Sequence, residues 1–306
     1  MGYINSIFEI IGHTPILKLN NLDIKEGVNI FVKLEGQNPG GSIKDRIGIY
    51  MIKNAEDRGE LKKGDTIIEA TAGNTGIGVA LGAINRGYNV IFVVPEKFSK
   101  EKQVLMKALG ATIISTPKEE GIEGAVKRAK ELLKEIPRSI SLDQFNNYSN
   151  PKCHYETTAP EIYEDLKGEI DYFVAGAGSG GTFTGVLKYL KEKNSNISGI
   201  LADPEGSILG GGEEGDYNIE GIGNNFIPGT MNMDYVDKVV KVSDEEALEM
   251  VKNIALKEGL IVGTSSAANI VASLKLSRDI EKGNIVTILP DRGDRYFTKN
   301  IYTFKE

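Results

Sequence analysis

The sequence predicts an α/β fold with parallel sheets, and two observations carry this prediction. Short apolar runs alternate with helical patterns from about residue 29 onward, which is the order of βαβ units. The chain has 306 residues, which suits two domains or one large α/β domain. Turn-forming residues interrupt the periodicity at 146–151, so we expect two α/β lobes to meet there.

Seven strands are predicted, each an apolar run that ends near glycine, proline or a polar turn: residues 30–34, 66–69, 90–94, 112–115, 172–175, 199–202 and 285–289. Eight helices are predicted: residues 42–59, 74–86, 99–109, 120–136, 155–167, 181–193, 244–258 and 265–279. Ser243 and Glu246 form the pattern of a capping box at the start of the seventh helix.

Composition excludes several classes of function. The 36 basic and 43 acidic side chains give a net charge of −7, which disfavours nucleic acid as a partner. Cys153 is the only cysteine, and the histidines are His13 and His154, so neither a disulfide framework nor a metal site is expected. No apolar run approaches the length of a membrane span, so a cytoplasmic location without membrane contact is the default expectation.

The first of three glycine-rich turns, residues 36–46, leads from a strand into a helix and contains Lys44. It is not a Walker nucleotide-binding motif, because Ser42 and Ile43 separate Lys44 from the glycines. From this segment alone Lys44 could be a solvated surface lysine. Its position beyond the carboxyl end of a strand, where open α/β sheets bind ligands, favours a functional role.

The second turn, residues 69–78, also joins a strand to a helix. Gly76, Gly78 and Gly82 lie within that helix, where each glycine costs about 1 kcal/mol relative to alanine. Two explanations stay open and are compatible. The glycines permit tight packing of the helix on its sheet, or the amides of residues 71–75 bind an anion at the helix start.

The third turn, residues 176–182, has two possible interpretations. Gly176, Gly178 and Gly181 fit the G-x-G-x-x-G pattern, and Asp203 follows at about the distance of 20 residues that dinucleotide-binding folds show. An NAD(P)-binding oxidoreductase is therefore an alternative. The density of glycines and hydroxyls also suits a loop that wraps one phosphate with its backbone amides.

Three anion-binding turns in one chain predict a ligand with separated anionic groups. A desolvated lysine amine forms Schiff bases with carbonyl compounds. Pyridoxal 5'-phosphate acting on an amino acid meets both requirements, because the cofactor brings a phosphate and an aldehyde and the substrate brings a carboxylate. The sequence therefore predicts this cofactor.

From the Gly12-His13-Thr14-Pro15 segment to Leu289-Pro290, the chain resembles the cysteine synthase and cystathionine β-synthase family of fold-type II pyridoxal phosphate enzymes. The resemblance implies two open, twisted sheets flanked by helices, as in the tryptophan synthase β-subunit. It also implies a homodimer.

The resemblance further implies how the two domains divide the chain. A smaller, mobile domain would span 36–146 and carry Lys44 and the loop with Asn74. A larger domain would combine 1–35 with 147–306 and carry the phosphate loop.

Roles for site residues follow from the same resemblance. Lys44 would bind the cofactor covalently and act as the catalytic base, Asn74 would hydrogen-bond its phenolic oxygen, and Ser265 would face its pyridine nitrogen. A neutral hydroxyl at that nitrogen should favour prompt loss of a β-substituent. The phosphate would be held by Gly178, Ser179, Gly180, Gly181 and Thr182.

The substrate would be bound at its carboxylate and its amine. The carboxylate would be received by Thr71, Ala72, Gly73, Thr75 and Gln144. Gly221, within a Glu-Gly-Ile-Gly segment, would face the amine. His13, Cys153 and His154 have no role in this interpretation, and the Arg-Gly-Asp triplet at 292–294 is interpreted as coincidence.

The implied activity is β-replacement on a serine- or cysteine-type L-amino acid through an α-aminoacrylate intermediate. Sulfide or an amino-acid thiol would add, giving cysteine, lanthionine or cystathionine, and a cysteine donor would release hydrogen sulfide. Ala72 stands where cysteine synthases usually have serine, and Glu220 begins a segment more like the branch that accepts amino-acid thiols.

Several alternatives to this activity stay open. Plain O-acetylserine sulfhydrylase activity is the main one, and a non-catalytic binding protein is disfavoured because Lys44 is present. Asn224, Asn225 and Asp234 are either readers of the second substrate or members of an ordinary surface loop.

Overall fold

Two sheets organise the molecule in the computed structural model, which describes residues 3–71, 73–96 and 100–303. The strands, numbered in chain order, are β1 (Ile16–Lys18), β2 (Val28–Leu34), β3 (Thr66–Ala70), β4 (Asn89–Pro95), β5 (Thr112–Thr116), β6 (Ser139–Ile140), β7 (Tyr172–Ala175), β8 (Ser198–Pro204), β9 (Lys238–Val242) and β10 (Gly283–Leu289). The larger sheet has the order β1-β2-β10-β7-β8-β9, and the smaller has the order β5-β4-β3-β6. Every pairing is parallel except that of the edge strand β1 with β2.

Helices follow the strands, as expected for βαβ units. They are α1 (Lys44–Asp57), α2 (Asn74–Ala83), α3 (Lys100–Ala108), α4 (Gly121–Glu135), α5 (Ser149–Cys153), α6 (Ala159–Asp165), α7 (Gly181–Lys193), α8 (Asp244–Glu258) and α9 (Thr264–Asp279). The predicted capping box is present at α8, where the Ser243 hydroxyl accepts from the Glu246 amide and the Glu246 carboxylate accepts from the Ser243 amide.

The α/β class and all seven predicted strands are confirmed, whereas β1, β6 and β9 were missed. β1 and β6 have three and two residues, which is too short for a periodic signal. β9 carries lysines at both ends of its apolar core and lies at a sheet edge. The helix predicted at 155–167 begins earlier, at α5, because Pro151 lies in its first turn, where proline is tolerated.

The glycines of α2 allow it to pack closely against α1. A side chain on Gly78 would overlap the backbone carbonyl of Lys44, and one on Gly82 would begin 3.0 Å from the Cα of Ile49. One explanation in the sequence analysis was that these glycines pack α2 against its sheet. In the structure, Gly78 and Gly82 instead approach the neighbouring helix α1. The first turn of α1, with Lys44, therefore lies beside the first turn of α2.

The core lies on both faces of each sheet. In the larger sheet Val174 belongs to one buried cluster and its chain neighbour Phe173 to another. In the smaller sheet Phe92 and Val93 are divided between two clusters in the same way. The carboxyl ends of β2, β3, β7 and β10 lead into the loops that begin at residues 35, 71, 176 and 290. Open α/β sheets bind ligands at this edge.

The chain builds the larger sheet from two separated parts. Strands β3 to β6 lie between residues 66 and 140, whereas the larger sheet combines residues 16–34 with 172–289. The exact domain ranges and the mobility of the smaller domain stay predictions. Among the described residues, no helix has the length and apolar character to cross a membrane.

Candidate active site

One cavity brings together most of the predicted cofactor residues. It is lined by Lys44, Asn74, Gly178, Ser179, Gly180, Thr182, Gly221 and Ser265. The same cavity is lined by Glu220, which begins the predicted Glu-Gly-Ile-Gly segment, and by Asn269, Asp291 and Tyr296, to which the sequence analysis assigned no role. Loops that follow strands of the smaller sheet and loops that follow strands of the larger sheet therefore both contribute residues to this cavity.

Lys44 is the first residue of α1, and its side chain reaches this cavity. Burial lowers the pKa of the Lys44 amine to about 8, although the nearby Asp291 carboxylate raises it. A lysine with such a pKa is partly unprotonated near neutral pH, and the unprotonated amine is the form that attacks carbonyl carbons.

Two residues from the other side of the cavity fix the amide of Asn74. Its Nδ2 donates to Asp291 Oδ2 at 2.6 Å, and its Oδ1 accepts from an Arg295 guanidinium N–H. Asp291 Oδ2 also accepts from the Tyr296 hydroxyl at 2.5 Å, and Asp291 Oδ1 is buried without a partner among the described residues. The orientation of the Asn74 amide is thereby determined, at a position that lines the cavity.

The glycine loop forms an anion cradle at the start of α7. Gly180 has a φ of 82°, a left-handed conformation that favours glycine. The Gly176 amide donates to Asn269 Oδ1 at 2.7 Å, and Asn150 Nδ2 donates to the Ser179 hydroxyl at 2.9 Å. The first amides of α7 have no preceding helical carbonyl, so this end of the helix favours an anion.

A second layer of side chains holds the glycine loop from behind. Asn224 Nδ2 donates to the Gly178 carbonyl, and the Thr230 hydroxyl donates to the Ser179 carbonyl. His154 Nε2 lies 3.2 Å from the Thr182 hydroxyl. Burial, together with the positive charges of Lys44 and Arg46, lowers the pKa of His154 well below its usual value, so this imidazole is neutral.

The residues predicted to receive a carboxylate lie close to Asn74. Thr71 follows β3 and Gln144 follows the adjacent strand β6, so the two loops meet, and the Thr75 hydroxyl donates to Gln144 Oε1 at 2.8 Å. Gly73 precedes α2 as its N-cap residue. Thr71, Gly73, Thr75 and Gln144 are not among the residues that line the cavity, and Ala72 lies outside the described residues.

The buried carboxylate of Glu69 fixes the Gln144 loop to the end of β3. Its Oε1 accepts from the Ser141 hydroxyl at 3.0 Å, from the Asp143 amide at 3.1 Å and from the Leu142 amide. Burial raises the pKa of Glu69 to about 7, against the effect of these donors. Glu69 therefore holds the loop that presents Gln144.

Ser265 lies in the first turn of α9 and is buried. Its hydroxyl is 4.0 Å from the point where a side chain on Gly221 would begin, and Gly221 has a φ of 90°. A neutral hydroxyl and a bare backbone thus face each other across the cavity.

Three other residues that the sequence analysis singled out, Asn225, Asp234 and Asp203, do not line the cavity. Among the described residues Asn225 contacts Glu214 at the surface, and Asp234 lies in the short 3-10 helix Met233–Tyr235; neither lines the cavity. Asp203, the residue behind the dinucleotide alternative, is buried and paired with Lys241 at 2.6 Å. It is therefore not available to a ribose.

Cys153 is buried in the core of the smaller sheet, and burial raises the pKa of its thiol to about 12. A thiol with such a pKa carries almost no thiolate at neutral pH and is unreactive. Among the described residues, no three His, Cys, Asp or Glu side chains form a group that could hold a metal ion.

Comparisons with known proteins agree with this geometry. The family model described as "Pyridoxal-phosphate dependent enzyme" matches residues 7–291. An O-acetylserine dependent cystathionine β-synthase of Bacillus subtilis is 51% identical over 99% of this chain and 99% of its own length. A cysteine synthase of Staphylococcus aureus is 44% identical over 99% of this chain and 98% of its own length.

A solved structure shows the same fold. The crystal structure of a hydrogen sulfide-producing enzyme from Fusobacterium nucleatum superimposes with a TM-score of 0.93 at 40% identity. The match covers 97% of this chain and 99% of that chain. The two-sheet architecture is therefore shared over the full length.

Proposed function

Since the chain belongs to the family of pyridoxal-phosphate dependent enzymes, we propose that it joins an O-activated serine to an amino-acid thiol, forming a thioether of the cystathionine type. The relatives establish the type of reaction: the protein is a β-replacing synthase of the cysteine synthase and cystathionine β-synthase type. The 51% identity to an O-acetylserine dependent cystathionine β-synthase carries this choice of substrates, and the convergence of Lys44, Asn74, the glycine loop and Ser265 on one cavity supports the cofactor.

The residues present fit pyridoxal phosphate. Side chains at Gly178 or Gly181 would overlap the Gly221 carbonyl or Asn150, so the loop is kept bare where its amides would hold the phosphate. Lys44 brings an amine with a lowered pKa to the same cavity. Asn74 lines the cavity and would hydrogen-bond the phenolic oxygen, and Ser265 has a hydroxyl for the ring nitrogen.

Lys44 is the proposed base of the reaction. When bound, pyridoxal phosphate supplies the electron-withdrawing ring that makes loss of the substrate's α-proton possible. Lys44 Nζ would take that proton and would return it to the same carbon after the thiol has added. A pKa near 8 suits both transfers at neutral pH.

The other residues would orient the substrate and the leaving group. Thr71, Thr75 and Gln144 would receive the carboxylate at the start of α2, where the helix dipole favours an anion. The β C–O bond of the donor breaks and the acyl group on that oxygen leaves as a carboxylate ion, acetate in the case of O-acetylserine. The thiol sulfur forms the new C–S bond at the β-carbon and releases its proton to solvent. No oxidant or reductant is needed.

A donor and acceptor matrix tests this proposal. The holoprotein is incubated with O-acetylserine, serine or cysteine, each with homocysteine, cysteine or sulfide, and the products are identified by mass. We expect O-acetylserine with homocysteine to give cystathionine with the highest kcat/KM. Turnover with sulfide alone, and with no amino-acid thiol, would overturn the proposal.

Plain cysteine synthesis is the second candidate, supported by the 44% identity to a cysteine synthase. It predicts that sulfide is the best acceptor in the same matrix. A cysteine donor that releases sulfide is a further outcome of the matrix, in keeping with the similarity to a hydrogen sulfide-producing enzyme. Sulfide release from cysteine without any use of O-acetylserine would contradict both main candidates.

A further inference from the structure

One buried side-chain amide connects the two loops that are proposed to hold the phosphate of the cofactor and the carboxylate of the substrate. Asn150 lies in α5 and is fully buried. Its Nδ2 donates to the Gln144 carbonyl at 2.8 Å and to the Ser179 hydroxyl at 2.9 Å. Gln144 follows β6 of the smaller sheet, and Ser179 follows β7 of the larger sheet. A single nitrogen therefore joins the two loops.

The contacts of Asn150 allow only one orientation of its amide. A backbone carbonyl can only accept, so the atom beside the Gln144 carbonyl must be the nitrogen of Asn150 and not its oxygen. Both N–H groups of that nitrogen are thereby donated. Asn150 Oδ1 is buried without a partner among the described residues. The position thus uses two donors on one nitrogen, even though an unpaired buried oxygen is unfavourable.

The same geometry determines how the Ser179 hydroxyl can bond. The amide nitrogen of Asn150 cannot accept, so Ser179 Oγ accepts from it and keeps its own proton for another acceptor. Ser179 lines the cavity, two residues before α7 begins at Gly181. A phosphate at that helix start offers acceptor oxygens. Asn150 thereby leaves the Ser179 proton for the phosphate.

Gly181, the first residue of α7, shows how closely Asn150 approaches the glycine loop. A side chain on Gly181 would overlap the Asn150 amide. The sequence analysis explained this glycine by a bound phosphate or dinucleotide alone. The missing side chain also makes room for Asn150, so the glycine loop and this asparagine fit each other.

We propose that Asn150 is a positioning residue that places the phosphate-binding Ser179 hydroxyl and the carboxylate-binding Gln144 loop at the same time. The inference deepens the proposed function, and it rests on the cofactor and carboxylate positions given there but not on the identity of the acceptor. Asn150 holds the backbone of Gln144, while the Thr75 hydroxyl donates to its side chain. Removal of the Asn150 amide should therefore weaken phosphate binding and carboxylate binding together.

The alternative is an asparagine that only keeps α5 in place. Its removal would then lower the stability of the protein and lower the affinity for every ligand by the same factor. A positioning role instead predicts a loss confined to ligands that carry the anionic group. The two explanations therefore differ in ratios of dissociation constants and not in a single constant.

Two pairs of ligands measure these ratios. Pyridoxal is the cofactor without its phosphate, so the dissociation constant of pyridoxal divided by that of pyridoxal phosphate, both for the apoprotein, defines a phosphate ratio. Ethylamine is L-alanine without its carboxylate, so the dissociation constant of ethylamine divided by that of L-alanine defines a carboxylate ratio. The second pair is titrated into the holoprotein and followed by the visible absorbance of the cofactor. L-Alanine has no β-leaving group, so no turnover follows.

Asn150→Ala removes both donors without adding a charge. We expect the phosphate ratio and the carboxylate ratio each to fall about tenfold or more, because hydrogen bonds to charged groups are among the stronger ones. Asn150→Leu fills most of the volume of the asparagine and should give the same result, so a loss caused by an empty cavity is recognised. The thermal midpoint shows whether each variant is folded.

Two neighbouring asparagines are matched controls, because each holds one of the loops and contacts the other loop by no listed hydrogen bond of its own side chain. Asn224 Nδ2 donates to the Gly178 carbonyl, so Asn224→Ala should lower only the phosphate ratio. Asn147 Nδ2 donates to the Leu142 carbonyl at 2.7 Å, so Asn147→Ala should lower only the carboxylate ratio. Only the change at Asn150 should lower both.

A double variant tests whether Asn150 acts through Ser179. Once Ser179→Ala has removed the hydroxyl, the addition of Asn150→Ala should lower the phosphate ratio little further. Independent, additive losses would contradict this route. A phosphate ratio that Ser179→Ala leaves unchanged would overturn both the proposed phosphate position and the inference about Asn150.

The remaining outcomes separate this inference from the proposed function. Equal losses for both members of each ligand pair in Asn150→Ala and Asn150→Leu overturn the inference and leave the proposed function intact, as does a fall in only one of the two ratios. The acceptor matrix can fail without affecting this test, because both ratios are measured without an acceptor. A fall in both ratios, with non-additive losses at Asn150 and Ser179, supports the positioning role.

Discussion

Asn74 Nδ2 donates a 2.6 Å hydrogen bond to Asp291 Oδ2, a contact between residues 217 positions apart in the chain. It joins the first turn of α2, which follows β3 of the smaller sheet, to the segment after β10 of the larger sheet. Asp291 also raises the pKa of Lys44. One carboxylate therefore affects the two side chains on which the proposed chemistry depends.

Replacing this carboxylate should impair catalysis more than folding. Asp291→Asn presents an amide N–H, or an oxygen with a weaker charge, to Asn74 and Tyr296, so the Asn74 amide loses its fixed orientation. We expect kcat to fall about 100-fold at saturating cofactor, the loss typical of a misplaced catalytic group. Asp294→Asn, at an exposed neighbouring carboxylate, serves as the control. Full activity in Asp291→Asn would contradict the role given to this contact.

The pKa of Lys44 predicts how the protein takes up its cofactor. The amine attacks an aldehyde only when it is unprotonated, and burial lowers its pKa to about 8. In stopped-flow mixing of the apoprotein with pyridoxal phosphate, the association rate should rise with pH and level off above about 8. Because Asp291 raises this pKa, Asp291→Asn should move the midpoint to lower pH. A midpoint near the ordinary lysine value would refute this assignment.

A buried ion network anchors α1, the helix that begins at Lys44. Arg46 donates to Glu35 at 2.7 Å and 2.8 Å and to Glu161 at 2.7 Å, and Lys33 pairs with Glu161 at 2.9 Å. Arg46→Met removes the guanidinium that pairs with the buried Glu35 carboxylate and leaves Glu161 paired with Lys33 alone, so the free energy of unfolding in urea should fall by about 3–5 kcal/mol.

The matched control for Arg46 lies on the surface of α4. Arg128 pairs with Glu131 and Glu135, which are exposed, so Arg128→Met should lower the free energy of unfolding far less than Arg46→Met does. Equal losses in the two variants would show that the buried network does not anchor α1.

Acid should weaken the same network in a defined window. Burial raises the pKa of Glu161, but hydrogen bonds and attraction from Arg46 and Lys33 outweigh it and hold the pKa at about 2. A carboxyl with a depressed pKa contributes stability above its ordinary pKa of 4.5 and loses it as the pH falls toward 2.

Urea titrations between pH 6 and pH 2 test the contribution of Glu161. The difference in unfolding free energy between wild type and Glu161→Gln should be largest above pH 4.5 and should shrink as the pH falls. A difference that does not change with pH would argue against an ionised Glu161 in the folded protein.

The sequence predicted the parts of the site that lie in continuous segments. Lys44 and the glycine loop are marked by several unusual residues in a row at the end of a strand. Such local patterns can be detected in the sequence without knowledge of the fold. The cavity contains both, together with Asn74 and Ser265. The α/β class was predictable for the same reason, because strand and helix periods are local.

The contacts between distant segments were not predictable. Asp291 and Arg295 flank an Arg-Gly-Asp triplet that was interpreted as coincidence. Their importance depends on their contacts with Asn74, which form only when the two sheets are packed together. His154 was interpreted as structural, yet it contacts Thr182 of the glycine loop. A single histidine in a helix carries no signal of such a neighbour.

The central claim is that the nitrogen of Lys44 holds the cofactor. Reduction of the holoprotein with borohydride, followed by peptide mapping, fixes the attachment point permanently. We expect one pyridoxyl group per chain, on the peptide that contains Lys44, and none in Lys44→Ala. A pyridoxyl group on Lys102 or another lysine, or an unlabelled Lys44 in fully yellow protein, would contradict the account.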